Sequence, residues 1–123
     1  MRDFREIKVW EKAHMLTLAV YKATGKFPMD ERFGLTAQLR RACVSIPANI
    51  AEGCGRQTDG DLLRFLYVAM GSASEVEYEL LFAQVLSLLP ADEHERLVGA
   101  AVEIKRMLEA FISKVTTDRK GSG

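Results

Sequence analysis

Glu11 and His14 stand three residues apart in Glu11-Lys12-Ala13-His14, a spacing at which one helix turn sends a carboxylate and an imidazole to the same side. Two such pairs facing each other hold the di-iron centre of some helical bundles, and Glu52, Glu75 and Glu79 would supply further carboxylates. The second pair is missing. His94, the other histidine, has Ala91 at the matching position and lies beside a break at Leu89-Pro90. Cys43 with His14 would make a nucleophile and its base, but no third residue stands out to orient the imidazole. Gly53-Cys54-Gly55 lacks the rest of a phosphate-binding loop. No catalytic residue, metal or cofactor is therefore assigned, and the chain is not read as an enzyme.

Charge offers a different chemistry, binding. Seventeen Lys and Arg balance seventeen Asp and Glu, but unevenly. Residues 1–58 carry ten cationic and six acidic side chains and residues 59–123 carry seven and eleven, so the halves stand at +4 and −4. Complementary halves are expected to pack together. Lys8, Lys12, Lys22, Arg40 and Arg56 are the candidates for an exposed basic surface able to meet nucleic acid. A second polar set is regular: Arg41, Ser45, Asn49 and Glu52 step by four, four and three along one helical face, and Arg64, Gly71, Glu75 and Glu79 do much the same further on. Acids and bases are matched there. That favours a buried ion-pair network fixing helix register or subunit contacts over a ligand- or RNA-contact surface.

The elements that must position these groups read as helices throughout. A chain of 123 residues, 48% hydrophobic and 28% charged, can bury one core. The single domain is placed at residues 1–119, with 120–123 a flexible tail. No apolar run approaches the roughly 18 residues needed to span a bilayer, and residues 1–12 lack a signal-peptide core, so a cytoplasmic protein without a membrane partner is expected. Cys43 and Cys54 then read as free thiols. Val9, Ala13, Leu16, Val20 and Ala23 form the stripe of a first helix ending near Gly25. Asp30 is the expected cap of a second, striped by Leu35, Leu39, Ala42, Ile46 and Ile50. Thr58 or Asp59 caps a third, carrying Leu66, Met70, Ala73, Val76, Leu80 and Ala83; Leu97, Ala101, Ile104, Leu108, Phe111 and Val115 mark the fourth. Short links favour antiparallel neighbours, hence an all-α, up-down-up-down four-helix bundle. The third helix also carries Tyr67, Tyr78, Phe82, Val85 and Leu89 off its main stripe, which calls for cover on a second side, most economically another copy of the chain.

Pro47 interrupts this scheme. It cannot donate to the carbonyl of Cys43, a loss worth roughly 3 kcal/mol in a plain helix interior. Because the stripe continues in phase through Ile50, the proline is expected to kink the second helix and not to end it. Ser45 and Asn49 are placed to serve the freed backbone groups. Small residues on both sides, Ala42, Ala48 and Ala51 against Ala69, Gly71, Ser72 and Ala73, suggest a close helix crossing at that level.

The segment LRRACVSIPANIAEG (39–53), followed by Gly55-Arg56 and by LLRFLYVAMGSASEVEYEL (62–80), closely resembles the S23-like four-helix-bundle proteins associated with 23S rRNA intervening sequences. The opening from Phe4 resembles them too, so the likeness spans about residues 4–115. Cys43, where a small residue is usual, and Tyr78, in place of a small polar one, depart from the pattern and are read as packing variation. The resemblance implies an elongated bundle that assembles with itself, as a pentameric ring in one branch. A related branch accompanies the reverse transcriptases of diversity-generating retroelements as an RNA- and protein-binding accessory. No catalytic activity is implied. Arg41, Ser45, Pro47, Asn49, Glu52, Gly53, Arg64, Gly71, Ser72 and Glu75 match the family's structural signature. The expectation is a non-enzymatic homo-oligomer binding structured RNA, or, alternatively, a scaffold for a protein partner with no nucleic-acid role.

Overall fold

The computed structural model describes residues 2–122. Helices α1 (Lys8–Thr24), α2 (Leu35–Cys54), α3 (Asp59–Val85) and α4 (Ala91–Ser122) are preceded by a 3-10 turn at Phe4–Glu6, with another at Met29–Glu31, and no strand occurs among the described residues. Each helix packs on its chain neighbours and α1 closes the ring against α4, while among the described residues the diagonal pairs make no close backbone approach. With links this short the neighbours run antiparallel, giving the up-down-up-down four-helix bundle. The α2–α3 interface is the most extensive and α1–α4 the least. At about 1.5 Å per residue α4 is almost twice as long as α1, so α1 covers only part of it. The N-terminal segment extends that cover. The Arg2 backbone N–H donates to the Cys54 carbonyl at 2.9 Å, and its guanidinium pairs with Asp59 at 3.4 Å and lies 6.0 Å from the Phe111 ring.

The stripes meet along the bundle axis. Val20, Leu39, Ile46, Ile50, Leu66, Val76, Leu80, Ile104, Leu108 and Val115 are all but sealed from solvent. Burial of each large apolar side chain contributes about 1.5–3 kcal/mol. Met70 and Phe111 are only half-buried, and Ile112 takes the inner position beside Phe111. Leu89, expected on the outer face of the third helix, is buried instead, because α3 stops at Val85 and the chain folds back. Ser87 turns it with φ of 60°, a left-handed conformation usually given to glycine. Its N–H donates to the Gln84 carbonyl, and that of Leu88 reaches the Ala83 carbonyl, both at 2.9 Å. The two bonds satisfy carbonyls that the helix end would leave open.

Thr58 caps α3 as expected, its hydroxyl accepting from the Asp61 N–H at 3.2 Å. Asp30 does not cap α2. It lies in the 3-10 turn, and the helix starts at Leu35, whose N–H is nearest the Glu31 carboxylate at 3.4 Å. At the far end of the chain the helical path passes Arg119 and continues to Ser122, while Gly123 lies outside the described residues.

Pro47 lies inside a continuous α2 and does not stop it. The Thr17 hydroxyl of α1 donates to its own helix at the Ala13 carbonyl, 2.8 Å away, and shares that proton with the Cys43 carbonyl at 3.2 Å, which Pro47 leaves without its usual donor. Asn49 Nδ2 donates to the Ser45 carbonyl and hydroxyl at 2.8 and 2.9 Å, and the Ser45 hydroxyl meets that of Ser72 on α3 at 2.8 Å. Partial relief of the proline therefore comes from a neighbouring helix, while Ser45 and Asn49 tie α2 to itself and to α3. At the expected close crossing Ala42, Ala69 and Ala73 are buried, but Gly71 takes no part. Gly71 is exposed, and a methyl there would meet nothing within 4 Å; one at Gly53 would come within 3.0 Å of Leu62 Cδ1 and Phe65 Cβ. Gly71 points away from α2, and it is Gly53 that lets the α2 end approach α3.

Candidate functional site

The five basic candidates do not form one patch. Lys22, near the end of α1, and Arg40, early in α2, share the bundle end that carries the α1–α2 and α3–α4 links; Lys8 and Arg56 belong to the opposite end. Lys12 is tied across to α4 by an ion pair with Glu103 at 3.5 Å, and Arg56 is held by Glu52 at 2.7 Å and lies over the Phe65 ring at 4.9 Å. Arg40 is built into the fold: Nε donates to the Thr24 hydroxyl at 2.8 Å, Nη2 to the Tyr21 carbonyl at 3.2 Å, and the guanidinium lies 4.6 Å from the Tyr21 ring centre. These bonds spread the guanidinium against the end of α1.

Two cations that the sequence left unremarked lie at the same end, Lys26 and Arg32 on the link itself, both exposed. None of Lys22, Lys26, Arg32 and Arg40 has an ion-pair partner among the described residues. Beside them a shallow cavity of about 200 Å³ is lined by Thr24, Phe27, Met29, Arg32, Thr36 and Arg40. Asp30 and Glu31 are on the same link, and Asp92, Glu93 and Glu95 open α4 at the same end, which offsets the local field. Composition gave no hint of this grouping. Only the turn at 25–34 brings Arg32 back to line one cavity with Arg40.

The polar face of α2 and α3 is not a buried network. Arg41, Glu52, Arg64 and Glu75 are exposed, and the pairs that form are local, Arg56 with Glu52 and Arg64 with Asp61. These positions point outward from the α2–α3 pair. Glu79 is the exception at 5% exposure, with Oε2 buried and without a hydrogen-bond partner. Burial first, then the neighbouring Glu75 carboxylate, push its carboxyl up to about 8, against the pull of Arg41. On the rest of that outer surface Tyr67, Val68, Tyr78, Leu81, Phe82 and Val85 stand exposed, Tyr78 and Phe82 stacked at 6.3 Å. Tyr78 is thus a surface residue, whereas Cys43 fills the core.

The sequence candidates for other chemistry stay apart. His14 is exposed and stacks on Trp10 at 5.1 Å, whereas Cys43 is fully buried and its thiol is pushed up to about 11 by desolvation, so the two do not make a nucleophile and base. Cys43 and Cys54 are both free. Among the described residues no three His, Cys, Asp or Glu converge as a metal site, and no helix is long and apolar enough to cross a membrane.

Fold and surface together define an antiparallel four-helix bundle with an open apolar face on α3 and, at one end, four cations without an ion-pair partner among the described residues. The chain belongs to the 23S rRNA-intervening sequence protein family, whose model matches residues 5–110. Among solved structures it is similar to a protein of unknown function from the S23 ribosomal protein family of Bacteroides thetaiotaomicron VPI-5482. The TM-score is 0.77 at 25% identity, over 85% of this chain and 97% of that one. No curated protein matches the sequence.

Proposed function

We propose that this protein is a non-enzymatic, cytoplasmic, homo-oligomeric bundle that binds structured RNA. The observation carrying the RNA part is the group Lys22, Lys26, Arg32 and Arg40, four cations at one bundle end without an ion-pair partner among the described residues. Phosphates would supply the missing charge, and repetition of the group around an assembly would multiply a modest site into useful affinity. The family's name, which ties it to an intervening sequence of 23S rRNA, points the same way. Assembly draws on the exposed apolar residues of α3, which a second copy would cover.

Charge reversal tests the reading. Lys22→Glu with Lys26→Glu, measured against a labelled RNA stem-loop at low salt, should weaken binding at least tenfold and leave the melting temperature within about a degree, because solvated charges contribute little to stability. Wild-type affinity should also fall steeply between about 50 and 200 mM salt. Binding indifferent to both changes would sink the proposal.

A further inference from the structure

The bundle end that holds these four cations also carries large apolar groups that the fold does not use. Phe33 is 88% exposed and Met29 is 75% exposed, both on the link between α1 and α2, and Tyr21 is open at the end of α1. Two of the cations already lie against aromatic rings: the Arg32 guanidinium carbon is 5.3 Å from the Phe33 ring centre, and that of Arg40 is 4.6 Å from Tyr21. Nothing in the core explains Phe33. Its position between Arg32 and Gly34 opens no contact with the buried stripes, whereas Phe27 on the same link is buried at 7% exposure.

Given the RNA-binding reading above, we infer that Phe33 is a stacking platform for an unpaired nucleobase, with Arg32 and its neighbouring cations on the flanking phosphates. The occupant follows from the chemistry. A paired duplex presents phosphates but keeps its base faces stacked, so it can meet the cations and leave the ring unused. An unpaired base in a loop or single strand offers a free π face, and such stacking is tolerant of base identity. The cavity next to Arg32 and Arg40, with Met29 and Phe27 on its apolar side and the Thr24 and Thr36 side chains on its polar side, gives a neighbouring base or ribose a place to lie. A protein partner would meet the same apolar groups, but four cations at this end without ion pairs among the described residues, Arg32 against Phe33 itself, favour a polyanion. Exposure of Phe33 also makes the residue separable from folding.

The test is fluorescence anisotropy of the full chain with a labelled single-stranded adenine-and-uracil 12-mer and with a 12-base-pair RNA duplex, alongside light scattering. Phe33→Ala should weaken binding to the single strand roughly tenfold and change duplex binding less than twofold, and Phe33→Trp should retain the wild-type affinity. Because no phosphate contact is lost, the salt dependence of Phe33→Ala should match the wild type. Equal single-strand affinity in Phe33→Ala and wild type would overturn the stacking role and leave the basic surface standing. A smaller assembly mass in Phe33→Ala would overturn it too, by placing the ring in a subunit contact. If the wild-type protein binds neither RNA while its mass is that of an assembly, the RNA reading itself fails and the platform with it.

Discussion

Glu79 departs furthest from the ordinary chemistry of its residue type. An unfolded chain releases its proton near 4.5, whereas the buried native carboxyl holds it to about 8. Between those values the native state binds the extra proton, so this group makes stability fall as pH rises from about 5 to 8. Glu79→Gln keeps the shape and removes the titration. Thermal melts at pH 5 and pH 8 should therefore differ less in the variant than in the wild type, by a few degrees; an unchanged pH difference would show that the carboxyl is not held neutral. Two glycines separate just as sharply. Gly53→Ala places a methyl 3.0 Å from Leu62 and Phe65 and should cost about 1–3 kcal/mol, while Gly71→Ala meets nothing and should gain up to about 1 kcal/mol from helix propensity. Denaturant midpoints of the two variants moving in the same direction would refute the placement of the crossing.

Among the elements, α2 depends on α1 for one hydrogen bond that its own sequence gave up. Pro47 leaves the Cys43 carbonyl without its helical donor, and Thr17 provides a partial substitute with a proton it shares with the Ala13 carbonyl. Thr17→Val should cost about 1–3 kcal/mol in the wild-type background, since it strands a buried acceptor. In Pro47→Ala the restored N–H can take over, and the same Thr17→Val change should cost clearly less. A double-mutant cycle by urea unfolding measures that coupling, and additivity would mean the two residues do not serve the same carbonyl.

For the whole molecule the open question is what covers α3. Tyr78, Leu81, Phe82 and Val85 would leave a monomer with a contiguous apolar surface near the α3 end. Light scattering should give a mass several times 13.8 kDa, a pentamer being the expected number from the family resemblance. Tyr78→Glu with Val85→Glu should reduce it to a monomer that remains helical by circular dichroism. A wild-type monomer at micromolar concentration would remove the case for assembly. The proposed RNA role also depends on this scale, because one cluster of four cations gains affinity chiefly by repetition.

Helix number, order and core stripes were legible in the chain itself, because a 3.6-residue period records which side of each helix must leave water. Val20, Leu39, Ile46, Leu80 and Ile104 all lie where that period puts them. The exposed aromatic side of α3 was legible for the same reason, apart from Leu89, which only the reversal at Ser87 turns inward. Matching acids with bases along one face did not reveal burial. Spacing specifies that Arg41, Glu52 and Glu75 share a side of their helices, but the way α2 rotates against α3 decided that this side faces solvent while Glu79 faces in. The donor for Cys43 and the close approach at Gly53 were likewise settled by contacts between helices. So was the candidate site. Lys26, Arg32 and Phe33 sit in a link with no periodicity to read, and only the turn from α1 into α2 sets Arg32 against the cavity that Arg40 lines and leaves the others at the same bundle end as Lys22, because a loop's path follows from the packing of the helices it joins.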